Sequence, residues 1–146
     1  MLFGKKAKKI RRILIVEDEP LVAFDTEHAL TDAGYEVVGT VDSVEGALDM
    51  VKSAKIDLAL VDLGLTDGGN GVEVAAAARR EGMHVLFVTG RCPKGAASLG
   101  LGCLEKPFSQ KDLRAAIEAL ETLLTRGSVK KVPPGLTIYE DSASAA

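Results

Sequence analysis

Three consecutive acidic residues, Glu17-Asp18-Glu19, and a distant fourth, Asp62, are the side chains best suited to chemistry, together with Thr89 and Lys106. Carboxylates gathered in one crevice repel each other, and burial pushes at least one of them toward protonation. A hard divalent cation relieves that repulsion. Mg²⁺ is typically held by one or two carboxylates plus waters and phosphate oxygens. A lysine and a hydroxyl beside such a site would neutralise the oxygens of a transferring phosphoryl group, and aspartate is a competent covalent acceptor. These residues are spread over ninety positions, so the chemistry requires a fold that gathers them.

The chain alternates between two periodicities. Ile13 to Val16, Val37 to Val41, Ile56 to Val61 and Val85 to Val88 are short β-branched apolar runs, as expected of strands buried on both faces. A fifth, weaker run, Leu101 to Leu104, precedes Lys106-Pro107. Between the runs lie helical stripes. Val22, Thr26, Ala29, Leu30 and Ala33 end at Gly34, and Val44, Ala47, Leu48 and Val51 follow the N-cap candidate Ser43. Asn70 is placed to cap a third helix carrying Val72, Ala75, Ala76 and Ala78. Ser109 is placed to start a long one with Leu113, Ala116, Ile117, Leu120 and Leu124. Strands separated by helices of this length predict an α/β domain with a doubly wound, five-stranded parallel sheet. Ligands of such sheets bind outside the carboxyl ends of the strands. Glu17 to Glu19, Asp62, Thr89 and Lys106 all fall at those ends.

Four ordered blocks now resemble the signature of response-regulator receiver domains. They are Ile13-Leu14-Ile15-Val16-Glu17-Asp18-Glu19-Pro20, Asp57-Leu58-Ala59-Leu60-Val61-Asp62-Leu63, Val88-Thr89-Gly90 and Lys106-Pro107-Phe108. The resemblance implies a flavodoxin-like (βα)5 fold and a phosphoacceptor at Asp62. It further implies Mg²⁺, or Mn²⁺ in its place, on Glu17, Asp18, Asp62 and the backbone carbonyl of Gly64, with Thr89 and Lys106 on the phosphoryl oxygens. The implied donor is a phosphohistidine on a sensor histidine kinase or a histidine phosphotransfer protein. The implied activity is that of a phosphoacceptor signalling protein, catalysing its own phosphorylation and dephosphorylation, rather than a turnover enzyme.

The chain departs from the family's pattern in two places. Cys103 stands where receivers usually carry Tyr or Phe, three residues before the lysine, and Thr89 lies only 17 positions before Lys106. The segment from Gly90 to Gly102 contains four glycines and Pro93, so its helix, the fourth, is expected to be short or irregular. Phosphorylation is then expected to order that segment. Leu86-Phe87-Val88-Thr89-Gly90 also resembles, in part, a divergent and often stand-alone receiver group of the alphaproteobacterial general stress response.

Bulk properties bound the alternatives. At 146 residues and 47% hydrophobic composition the chain suits one domain with a real core. The reading is a basic arm over 1–9, a receiver over 10–126 and a flexible tail over 127–146, in which Leu136, Ile138 and Tyr139 could still dock as a short extended piece; the whole acts as a single-domain regulator. Six of the 18 basic residues lie in the first twelve positions, leaving an acidic body that suits neither DNA nor other polyanions. No apolar run is long enough to span a membrane, and a cytoplasmic monomer or weak dimer is expected. Cys92 and Cys103 form no zinc pattern and read as free thiols of a reducing compartment. His28 and His84 read as a solvated helix residue and a residue just before a strand. The glycine-rich run Gly64 to Gly71 lacks the Lys-Ser/Thr of a P-loop and reads as a loop flanking Asp62. Two other functions compete with the phosphoacceptor. A pseudo-receiver, an interaction module not regulated by phosphorylation, is disfavoured by the intact acidic, hydroxyl and lysine set. A flavin carrier would require more aromatic residues than two Tyr and four Phe.

Overall fold

The computed structural model describes residues 7–65, 71–93 and 98–139. Its elements are β1 (Arg12–Val16), α1 (Pro20–Asp32), β2 (Glu36–Val41), α2 (Val44–Ser53), β3 (Leu58–Asp62), α3 (Gly71–Arg80), β4 (His84–Thr89), β5 (Gly102–Glu105), α4 (Gln110–Arg126) and β6 (Leu136–Ile138). The strands form one sheet in the order β2-β1-β3-β4-β5-β6. The first five strands run parallel, and β6 pairs antiparallel with β5.

Alternation along the strands divides the core between two faces. Ile13, Ile15, Leu58, Leu60, Leu86, Val88 and Leu104 pack against Ala29 and Leu30 of α1 and against Leu113, Ile117 and Leu120 of α4. Leu14, Val16, Ala59, Val61, Val85, Phe87 and Cys103 face the other way, toward Ala47 and Val51 of α2 and Val74, Ala75 and Ala78 of α3. Local signals set the helix ends. Pro20 opens α1, the Ser43 side chain accepts from the Gly46 N–H, and that of Ser109 accepts from the Asp112 N–H. Gly127 closes α4 at φ +80°, where a residue with a Cβ is strained. The expected Asn70 cap lies outside the described residues. The basic arm enters along α4, with the N–H groups of Lys9 and Ile10 donating to the two Glu121 carboxylate oxygens at 2.9 Å each.

Several expectations need correction. The five parallel strands are as expected, but the region read mainly as a flexible tail adds a short antiparallel strand, β6, that covers the β5 edge. An uncovered edge presents unpaired backbone groups, and Leu136 and Tyr139 bring apolar surface that is buried once it is covered. His84 opens β4 rather than preceding it. The segment expected to carry a short or irregular fourth helix lies partly outside the described residues, at 94–97, and no helix occurs in the rest of it, so the long helix expected as the fifth is labelled α4. Finally, Cys92 and Cys103 are not free thiols; they are joined in a disulfide, with Cα atoms 5.9 Å apart. The chain leaving β4 brings Cys92 over β5, a proximity that the spacing of 11 residues does not reveal.

The β5–β6 pairing depends on Gly102, where a Cβ would run into the backbone carbonyl of Thr137. Gly102→Ala is expected to destabilise the protein by about 1–3 kcal/mol through overpacking, read as a lower urea midpoint. A midpoint equal to wild type would show that β6 is not held closely against β5.

Candidate functional site

The carboxyl ends of β1, β3, β4 and β5 converge at one edge of the sheet. Glu17 directly follows β1, and its backbone N–H donates to the Val41 carbonyl at 2.9 Å, tying it to the end of β2. Asp62 is the last residue of β3, and Thr89 the last of β4. The Lys106 N–H donates to the Thr89 carbonyl at 2.8 Å, which places the lysine just past β5. The following Lys106–Pro107 peptide bond is cis.

Lys106 is the centre of the cluster. Its Nζ lies 2.8 Å from Glu17 Oε1, 3.2 Å from Asp62 Oδ2 and 3.2 Å from Glu19 Oε1. Glu17 and Asp62 are 5% and 4% exposed, so these two ion pairs are largely shielded from water. The Gly64 N–H donates to Asp62 Oδ1 at 2.8 Å, and the Glu19 N–H to Glu17 Oε2 at 3.1 Å. Glu17, Asp18 and Asp62 each present one carboxylate oxygen within 4.8 Å of the others.

The electrostatics follow from this packing. Burial raises the Glu17 carboxyl above its ordinary range, and the neighbouring Asp62 charge adds to that. The bonds from Lys106 and from the Glu19 N–H oppose it without cancelling it. Burial alone would lower the Lys106 ammonium, but the Glu17, Asp62 and Glu19 carboxylates outweigh it and hold the ammonium well above its ordinary value. The lysine is therefore a fixed positive charge. The donor set also suits a hard divalent cation. Three carboxylate oxygens converge, two of the three side chains are nearly buried, and a cation is already needed to offset them.

The structure thus brings together Glu17, Asp18, Asp62 and Lys106, places Thr89 at the adjoining strand end, and puts Gly64 against Asp62 through its N–H. Sequence reasoning assigned no role to Glu19, which reaches Lys106 from the start of α1. Its position as third acid of the run was the available signal. Beside the cluster lies a cleft of about 520 Å³ between α1 and the start of α4, lined by Glu19, Val22, Thr26, Lys106, Phe108 and Leu113.

Comparison with known proteins gives the family and the fold. Residues 13–118 match the response regulator receiver domain family. The transcriptional regulatory protein PdtaR of Mycobacterium tuberculosis is 34% identical over 113 residues, which cover 74% of this chain and 55% of that protein. The chain therefore spans about half the length of this curated relative. A response regulator receiver protein from Sinorhizobium medicae superposes with a TM-score of 0.67 at 32% identity, covering 77% of this chain and 95% of that one. A CheY-like receiver domain protein from Methanospirillum hungatei gives 0.64 at 30% identity, covering 75% and 91%. The chain belongs to the response regulator receiver family. It is a receiver domain of two-component signalling, with the doubly wound α/β fold of its relatives. No helix among the described residues is long and apolar enough to cross a membrane.

Proposed function

We propose that this receiver takes a phosphoryl group onto Asp62 from a phosphohistidine of a sensor histidine kinase or histidine phosphotransfer protein. In this reading it works in the cytoplasm and signals through protein contacts, or passes the phosphoryl group on as a relay or sink. The observation that carries the reading is the contact of Lys106 Nζ with both Glu17 and Asp62, at strand ends where the Asp18 carboxylate also converges. Gathering three carboxylates costs stability unless a cation offsets them, which favours a chemical role for the cluster.

In the transfer, a carboxylate oxygen of Asp62 forms the new O–P bond as the P–N bond to the donor imidazole breaks, and the electron pair leaves on that nitrogen. Glu17, Asp18, Asp62 and the Gly64 carbonyl would hold Mg²⁺, which would supply neutralisation of the phosphoryl charge. Lys106 keeps its proton throughout and moves from the Asp62 carboxylate to a phosphoryl oxygen. The Thr89 hydroxyl donates to another. Exposed Leu21 (79%) and Phe24 (63%), on the helix that starts beside the site, fit contact with a partner surface.

Incubation with a small-molecule phosphodonor tests this reading by intact mass. One phosphoryl adduct is expected with Mg²⁺, none with excess chelator, and removal of the adduct by hydroxylamine, which cleaves acyl phosphates. An unchanged mass with several donors in Mg²⁺ would leave the pseudo-receiver reading in its place.

A further inference from the structure

We propose that Cys92 and Cys103 form a reversible thiol–disulfide modification site that locks the chain leaving β4 onto the β5–β6 edge. The two sulfurs differ in access. Cys103 is 0% exposed on β5, packed in the core cluster with Phe87 and Tyr139, whereas Cys92 is partly exposed in the loop after β4. A second tether joins the same two regions without covalent chemistry: the Tyr139 O–H, just past β6, donates to the Pro93 carbonyl at 3.0 Å. The Tyr139 N–H in turn donates to the Leu101 carbonyl at 3.0 Å. Loop, β5 and β6 are therefore held together by one bond that redox chemistry can break and by hydrogen bonds that remain.

On this face Phe87, Cys103 and Tyr139 share one core cluster, with Cys92 and Leu99 packed against it. The disulfide thus adds a covalent link to that packing. In a reducing compartment such links are usually transient or sensing rather than structural. In the reduced form the chain at Cys92 and Pro93 keeps the Tyr139 hydrogen bond but loses the covalent link, and the oxidised form has both.

The chemistry balances by exchange with a low-molecular-weight disulfide. The Cys92 thiolate attacks it, forming a mixed disulfide and releasing one small thiol. The Cys103 thiolate then displaces the second small thiol as the Cys92–Cys103 bond forms. Two protein thiols are oxidised and one small disulfide is reduced to two thiols, with two protons transferred. Reduction runs the same steps backward, entering at the accessible Cys92.

The test uses the full chain equilibrated at a series of reduced-to-oxidised glutathione ratios, then acid-quenched and alkylated. The alkylated fraction should follow the ratio reversibly. Amide exchange in the peptide carrying Cys92 should be at least about tenfold faster in the reduced form. Cys92→Ser should exchange like the reduced form at every ratio, and Tyr139→Phe should loosen the reduced form further. Thiols that alkylate fully at all ratios, a bond that persists in excess reduced glutathione, or equal exchange in the two forms would each overturn the proposal. It does not depend on Asp62: an Asp62→Ala variant should show the same redox behaviour, so loss of phosphoryl uptake and loss of the switch are separable.

Discussion

Asp62→Ala is expected to reduce phosphoryl uptake to the background of denatured protein, while the metal-free variant remains at least as stable as wild type. The first effect follows from the loss of the carboxylate at the end of β3, which is held by the Gly64 N–H on one oxygen and by Lys106 on the other. Neither bond can deliver another nucleophile to that position. The second effect follows from charge. Removing one of two nearly buried carboxylates relieves repulsion, and Lys106 keeps its 2.8 Å contact with Glu17. Glu17 and Asp18 lie close enough to compete as acceptors, so the experiment discriminates among the three. Label that persists on either of them in the variant would move the acceptor away from Asp62. A large loss of stability would mean that Asp62 holds the fold rather than serving chemistry.

Lys106→Ala should have the opposite effect on stability, costing about 3–5 kcal/mol in the absence of divalent cations. The ammonium is the shared partner of Glu17 and Asp62, and its removal leaves both facing each other where they are largely shielded from water. The Glu19 contact contributes little, because that side chain is 61% exposed. The deficit should depend on pH. The Glu17 carboxyl already binds its proton more readily folded than unfolded, through burial, and loses the opposing Lys106 bond in the variant. A group whose folded value is raised contributes stability below its unfolded value and loses it as pH rises through the folded value. The cost is therefore largest at neutral pH and shrinks under mild acid. Mg²⁺ at about 100 times its dissociation constant should restore roughly 2.7 kcal/mol. Uptake should still fall about 10²–10³-fold, the usual loss for one stabilising donor. Urea denaturation at two pH values, with and without Mg²⁺, checks the stability arm. A deficit under about 1 kcal/mol at neutral pH would show that water already screens the cluster.

The two-periodicity pattern carried most of the fold. Buried parallel strands are continuous apolar runs, and helices reveal their core face at intervals of three and four residues. Both are local properties, readable without a partner. Ser43 and Ser109 cap α2 and α4 as their positions suggested, since a cap needs only the next three residues. The acidic residues, Thr89 and Lys106 were legible as a group because a parallel sheet sends every strand's carboxyl end to one edge. Their order along the chain thus became proximity.

What escaped the sequence depends on pairings between distant segments. Leu136, Ile138 and Tyr139 could be read as a short extended piece, but not where it docks: it becomes a strand because β5 offers an open edge and Gly102 lets the Thr137 carbonyl approach. The disulfide appears because the chain leaving β4 packs over β5, which sets Cys92 against Cys103. Glu19 joins Lys106 because the turn into α1 points it back across the strand ends. Hydrophobic pattern and residue type therefore determined the sheet, its faces and the charged edge. Tertiary structure alone decided which edge is covered, which sulfurs meet and which third carboxylate the lysine holds, because each of these is a distance between residues whose separation in sequence carries no signal.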